Sequence, residues 1–156
     1  MKEYEYSFKV KDIKPFIEYC EVNNYKKVAI TTQNRVVYEN KHNEHIIARI
    51  TTKIIDGKKS TLLDFKNVGE KHKHLKISNE SLPIEINENN SKALYSVLEV
   101  LDFYKAANND RTRYKYEKNG VLFEIDDYTN PKAQVVAIEG NKEAVDAVYE
   151  TIKKLL

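Results

Sequence analysis

Residues Glu124–Ile138 read Glu-Ile-Asp-Asp-Tyr-Thr-Asn-Pro-Lys-Ala-Gln-Val-Val-Ala-Ile, and their alternation decides the fold. Just upstream the pattern is already set: Val121, Phe123 and Ile125 share one face of an extended chain, with Leu122, Glu124 and Asp126 on the other. Tyr128-Thr-Asn-Pro131 supplies turn residues. Val136 and Ile138 then resume an apolar face, opposite Ala137 and Glu139. The stretch is therefore two strands joined by a turn, apolar on one side and acidic on the other. An acidic side is ordinary on a surface hairpin. It becomes informative when both faces are covered, and the remaining chain points that way.

Working outward, the same two-sidedness recurs. Tyr4, Tyr6, Phe8 and Val10 fall on one face of an N-terminal strand, and Glu3, Glu5, Ser7 and Lys9 on the other. Asp12 is placed to N-cap a helix with Pro15 in its first turn and an apolar stripe of Ile13, Phe16, Ile17 and Cys20. Cys20 on that stripe reads as a buried structural thiol. Lys26–Tyr38 is β-branched and extended, and Glu39–Glu44 is a polar turn. Ile46–Ile54 alternates Ile46, Ala48 and Ile50 against Ile47, Arg49, Thr51 and Lys53. Asp56-Gly57 is a hairpin signal leading into Thr61–Lys66, with Leu63 and Phe65 opposed to Leu62, Asp64 and Lys66. Asn67–His74 reads as a charged, solvated loop, in which His72 and His74 lack further metal-ligating neighbours.

Lys76–Ile86 is a strand bent at Pro83. Ser91 is placed to cap a helix with Leu94, Val97, Leu98 and Leu101 as its stripe. Asn108–Glu117 is a strand rich in Arg and Tyr, turned by Asn119-Gly120 into the stretch quoted first. Asn141 caps a last helix with Glu143 in its first turn, Lys153-Lys154 in its last, and a stripe of Val145, Val148, Tyr149 and Ile152.

Bulk composition narrows the function classes. A chain of 156 residues is expected to be one domain, 1–156, with a real core. Charged residues make up 32% of it, yet the net charge is only +2, so general nucleic-acid binding is not expected. A single Cys excludes an intramolecular disulfide framework and a cysteine-based zinc site. No apolar run approaches the roughly 20 residues that span a bilayer, and no signal peptide is visible, so a cytoplasmic location is expected and no membrane partner.

The apolar face of nearly every strand has a helix stripe to match it, which leaves the ionic faces to line something else. They bring acids Glu3, Glu5, Asp64, Glu124, Asp126 and Glu139, and bases Lys9, Arg35, Arg49, Lys53, Lys66, Arg111, Arg113 and Lys115. A closed sheet makes them converge on a polar interior. Carboxylates at i and i+2 of a strand stand about 7 Å apart, and at an effective dielectric near 20 they repel by about 2 kcal/mol. Divalent cations or basic residues must compensate. Acids with no Cys or placed His suit Mg²⁺ or Mn²⁺, and Arg suits phosphate oxygens bidentately. Alternation alone is equally met by solvated outer faces carrying ordinary cross-strand ion pairs.

The order and spacing of several short motifs resemble the CYTH family, also called triphosphate tunnel metalloenzymes, which includes class IV adenylate cyclases and thiamine triphosphatases. Glu3-Tyr-Glu5 resembles the start of its Glu-x-Glu-x-Lys signature. Arg49-Ile-Thr51 sits where the family often has Arg-x-Arg, and Leu63-Asp-Phe-Lys66 is similar to its Leu-Thr-x-Lys strand. Arg111-Thr-Arg113 resembles its basic strand, Glu124-Ile-Asp126 its acidic strand, and Ala137-Ile-Glu139 its closing Glu-x-Glu. The chain departs from the pattern at Ser7, Thr51 and Ala137, and Asn79 falls where a basic residue is common. Lys9 and Lys53, two positions on from Ser7 and Thr51, are expected to substitute for the missing cations.

The resemblance implies an α+β fold: a closed or nearly closed eight-stranded antiparallel β-barrel, a tunnel with a polar, charged interior and about three helices packed outside. It implies metal ligation by Glu3, Glu5, Glu124, Asp126 and Glu139. Catalytic roles fall to Glu3, Glu5, Lys66 and Arg113. Substrate contacts fall to Lys9, Arg35, Arg49, Lys53, Lys66, Arg111 and Arg113. The implied partner is a small-molecule triphosphate or nucleotide, and the implied cofactor is Mg²⁺ or Mn²⁺. The first expectation is hydrolysis of inorganic triphosphate, thiamine triphosphate or a nucleoside triphosphate. Two alternatives stand beside it: an adenylate cyclase making cyclic AMP from ATP, and a module that binds a triphosphate or nucleotide without turnover.

Overall fold

A computed structural model describes all residues, Met1–Leu156. Strands β1 (Lys2–Val10), β2 (Lys26–Asn40), β3 (Ile46–Ile55), β4 (Lys58–His72), β5 (Leu75–Glu80), β6 (Ile84–Glu85), β7 (Phe103–Lys118), β8 (Val121–Asn130) and β9 (Lys132–Gly140) alternate with helices α1 (Lys14–Val22), α2 (Ser91–Val100) and α3 (Lys142–Ile152). The sheet order is β3-β2-β7-β8-β9-β1-β5-β4-β6, and β3 also pairs with β4. Eight strands thus close into an antiparallel barrel, and two-residue β6 is an extra strand on β4. Closure removes the free edges that a sheet of this length would otherwise expose. No helix is long and apolar enough to cross a membrane.

The expected hairpins form where the sequence carries Asp-Gly and Asn-Gly. Asp56 and Gly57 have φ of 51° and 76°, and Asn119 and Gly120 have 48° and 76°. Both central residues are left-handed, as the twist-matched two-residue turn requires. Gly140 ends β9 under a harder constraint. A Cβ there would lie 2.1 Å from the Gly120 carbonyl oxygen, so only glycine lets these two turns meet.

Two cores lie outside the barrel wall. Phe8, Tyr116, Phe123, Ile125, Val136 and Ile138 turn outward and pack against Phe16 and Cys20 of α1 and Val145 and Ile152 of α3. Each such large side chain contributes about 1.5–3 kcal/mol by leaving water. The second, smaller core is Ala48, Ile50 and Leu63 under Leu98 of α2. Asn141 caps α3 as expected, its side-chain oxygen accepting from the Glu143 and Ala144 amides. Cys20 is fully buried, and burial pushes its thiol up to about 12.

Several local expectations are corrected. Asn67–His74 is not a loop: β4 continues to His72 and turns at Lys73 into β5. A bulge between Val68 and Glu70 breaks the period of two there, which disguises the strand. His74 is half-buried, with its ring hydrogen-bonded to the Tyr149 hydroxyl. The chain from Lys76 to Ile86 is two strands interrupted at Ser81–Pro83, and β7 begins at Phe103 rather than Asn108. Asp12 and Ser91 are not N-caps; those positions belong to Ile13 and Asn90. In α2 only Leu98 of the expected stripe is buried, with Leu94 packed beside it, whereas Val97 and Leu101 are exposed.

Candidate functional site

Alternate residues of the eight strands point into a cavity of about 770 Å³. Glu3 and Glu5 enter it two positions apart on β1, and Glu5 stands directly opposite Glu139 of β9. Carboxylate oxygens of Glu3, Glu5 and Glu139 lie within 4.8 Å of one another. A donor set of three carboxylates, with no sulfur or imidazole, fits a hard divalent cation such as Mg²⁺ or Mn²⁺. Lys66 reaches this group from β4, donating to Glu3 Oε1 at 2.7 Å and lying 4.0 Å from Glu5 Oε1. Burial acts to push the Lys66 ammonium down, but Glu5 and Glu3 outweigh it and hold it above its ordinary value. Burial likewise acts to push Glu3 up, but its hydrogen bond with Glu80 and the charge of Lys66 hold it below the usual carboxylate value.

Glu139 has no such cation. Burial, then the charges of Glu124, Glu3 and Glu5, push its carboxyl up to about 9. Because the folded value is raised, the stability it contributes is full below the ordinary 4.5 and is lost as pH rises through about 9. The thermal midpoint of the metal-free protein should therefore fall between about pH 5 and pH 9, and Glu139→Gln should flatten that fall. Parallel melting curves for the two proteins across this range would contradict the assignment.

The other acids are already matched. Arg113 of β7 clasps two carboxylates of β8, with Nε and Nη2 on Asp126 at 2.8 and 2.9 Å and Nη1 on Glu124 at 2.6 Å. Arg49 of β3 is held by Asp64 of β4 and by Glu80 of β5. Four cations are treated differently. Arg111 donates Nε and Nη2 to the neutral amide oxygen of Gln33, and Nη1 to the Tyr128 hydroxyl at 2.7 Å. Its nearest carboxylate, Asp126 at 3.6 Å, is the one Arg113 grips bidentately. Arg35 donates to the neutral Thr51 hydroxyl at 2.9 Å. Burial, then Arg111, Arg49 and Arg113, push Arg35 down to about 9. Lys53 and Lys76 are also held low, chiefly by burial. The wall therefore combines a compact acidic triad, two neutralised arginines and a set of desolvated cations without a carboxylate of their own. Desolvated cations of this kind favour a polyanion.

Of the residues singled out from sequence, Glu3, Glu5, Arg35, Arg49, Lys53, Lys66, Arg111, Arg113, Glu124, Asp126 and Glu139 line the one cavity. The five acids expected to hold metal do not all cluster: Glu3, Glu5 and Glu139 meet, while Glu124 and Asp126 sit in the Arg113 clasp. Lys9 is exposed and outside the cavity wall. Lys76, Glu80, Gln33 and Tyr128 were missed. Lys76 and Glu80 share the inward face of β5, and plain alternation from Leu75 would have found them. Asn79, which falls between them on the outward face, is exposed beside Lys2.

The sequence matches no protein-family model and no curated protein. Solved structures do resemble it over almost its whole length. The PH1012 protein of Pyrococcus horikoshii is 19% identical with a TM-score of 0.76, covering 98% of this chain and 89% of that one. HpAC1 of Hippeastrum, a candidate adenylyl cyclase described as having a dominant triphosphatase activity, is 12% identical with a TM-score of 0.69, covering 97% and 87%. A chain of the Schizosaccharomyces pombe Mediator head module is 9% identical with a TM-score of 0.66, covering 100% and 94%. At these identities the likeness concerns the fold, and a fold hosts more than one function. The chain shares the closed-barrel fold of these structures, which is the fold that the resemblance to the CYTH family implies.

Proposed function

We propose that this tunnel hydrolyses a small-molecule triphosphate with the help of Mg²⁺ or Mn²⁺. The observation that carries the reading is the pairing of an all-carboxylate triad with cations that have no carboxylate of their own, Arg111 sharing Asp126 with Arg113. Arg35, Lys53, Lys76 and Arg111 hold the phosphate oxygens, with Arg111 kept in aim by Gln33 and Tyr128. Glu3, Glu5 and Glu139 hold the divalent cation, and Lys66 balances the charge of Glu3 when the cation is absent. A bound divalent cation neutralises phosphate charge and makes water a better nucleophile. The chain supplies positioning and electrostatics, which phosphoryl transfer chiefly needs. It offers no paired protein nucleophile: Cys20 is buried in the outer core, and His45 in the cavity wall lies beside the Glu44 carboxylate at 3.9 Å, not on a serine hydroxyl. Water attack on the terminal phosphorus, with loss of the bridging P–O bond, is the reaction this arrangement supports.

A non-catalytic binding module is favoured by one observation. Ala137 faces Glu124 across the hairpin and brings no carboxylate, and both β8 acids are engaged by Arg113. A cyclase has less support, since Tyr128 is the one Phe, Tyr or Trp ring in the wall and its hydroxyl is tied to Arg111. Incubation with tripolyphosphate, thiamine triphosphate and ATP, with either metal, separates the three. Free phosphate is expected. Cyclic AMP with pyrophosphate would establish a cyclase, and tight binding without products would establish the module.

A further inference from the structure

Within the barrel wall one polar atom has no partner. The Ser78 hydroxyl is buried and makes no hydrogen bond, the only side-chain oxygen or nitrogen of which this is true. Ser78 is 3% exposed. It lies on β5, directly opposite Glu3 of β1 and Val68 of β4. Directly opposed residues of an antiparallel pair place their Cβ atoms about 4.5–5.5 Å apart on the same face. Ser78 and Glu3 therefore share the inward face, and a serine hydroxyl there is within reach of a glutamate carboxylate. Glu3 is turned elsewhere, onto Lys66 and Glu80. A buried hydroxyl left unpaired costs about 1–3 kcal/mol, and alanine would fit the same place without that cost.

We propose that Ser78 is a positioning residue for the acidic triad: its hydroxyl donates to Glu3 when Glu3 leaves Lys66 to join Glu5 and Glu139 around a divalent cation. This rests on the metal reading above. One carboxylate oxygen of Glu3 then faces the cation, and the other accepts from Ser78, which fixes the orientation of the ligand. Ligating carboxylates held in this way by a hydrogen bond bind metal more tightly. The hydroxyl thus has a partner in one arrangement of Glu3 and none in the other, which accounts for a serine where alanine would suit the metal-free state better.

The test is Mn²⁺ binding by calorimetry or electron paramagnetic resonance, which does not depend on turnover. Ser78→Ala is expected to weaken Mn²⁺ binding about 3- to 10-fold. Its metal-free thermal midpoint should be unchanged or higher, because an unpaired hydroxyl has been removed. Tripolyphosphate binding in the presence of a chelator should be unchanged, and Ser78→Thr, which keeps the hydroxyl, should restore Mn²⁺ affinity. Equal Mn²⁺ affinity in Ser78→Ala and the unsubstituted protein would overturn the inference and leave the metal reading intact. A metal-free Ser78→Ala protein that is destabilised would overturn it too, since the hydroxyl would then already be engaged. Absence of Mn²⁺ binding in the unsubstituted protein would overturn both.

Discussion

Arg113→Ala is expected to lower the unfolding free energy by about 3–5 kcal/mol. Arg113 is 12% exposed at its side chain and clasps Glu124, also 12%, and Asp126, 4%. Removing it leaves two buried carboxylates side by side on β8, with only the longer contacts of Arg111, 3.6 Å from Asp126, and the partly exposed Lys115, 3.9 Å from Glu124, in compensation. The charge left behind is the source of the penalty, since a well-matched buried ion pair is worth little against an apolar replacement. Adding Glu124→Gln and Asp126→Asn to Arg113→Ala should therefore recover much of the loss, although each amide alone is unfavourable. Urea unfolding of the single and triple variants measures both effects. A single-variant loss under 1 kcal/mol would show that water reaches the clasp and that the interior is less desolvated than described.

Glu5→Gln is the variant expected to act most strongly on function, cutting turnover on the order of 100-fold or more, in line with the several kcal/mol that a metal ion supplies to charge stabilisation. Glu5 is the centre of the triad, adjacent in space to both Glu3 and Glu139. The amide keeps the shape and removes one anionic ligand, so the fold should survive, as judged by an unchanged thermal midpoint within a few degrees. Glu3→Gln should behave alike and additionally replaces the 2.7 Å ion pair with Lys66 by a hydrogen bond to a neutral amide oxygen. Full turnover in both variants would refute the assignment of the triad to metal.

Most of the barrel was legible from the chain because strand alternation is a local property. Val121, Phe123 and Ile125 against Glu124 and Asp126 told which side faced the helices, and the two left-handed Asp-Gly and Asn-Gly turns fixed neighbouring strands. Two things escaped. The bulge between Val68 and Glu70 shifts the alternation by one residue, so the second half of β4 read as a loop and the inward face of β5 was not followed. Lys76, Ser78 and Glu80 were lost with it. Charge pairing was the second. That Arg49 binds Glu80, or that Arg35 meets only Thr51, depends on register between strands distant in sequence, which spacing within one strand does not encode. The sequence thus placed cations and acids in one interior, and only the register separated the neutralised arginines from the free ones. The expectation that Lys9 stands in for a missing signature lysine overlooked the end of β1, where the inward face has already run out of the cavity.

The central claim is tested most directly by following tripolyphosphate by phosphorus resonance in the presence of the protein and Mg²⁺ or Mn²⁺ at low concentration, then again after chelation. The account predicts conversion to pyrophosphate and phosphate with the cation and none after its removal. An unchanged tripolyphosphate spectrum with either cation, together with no calorimetric binding of tripolyphosphate, thiamine triphosphate or ATP, would contradict it.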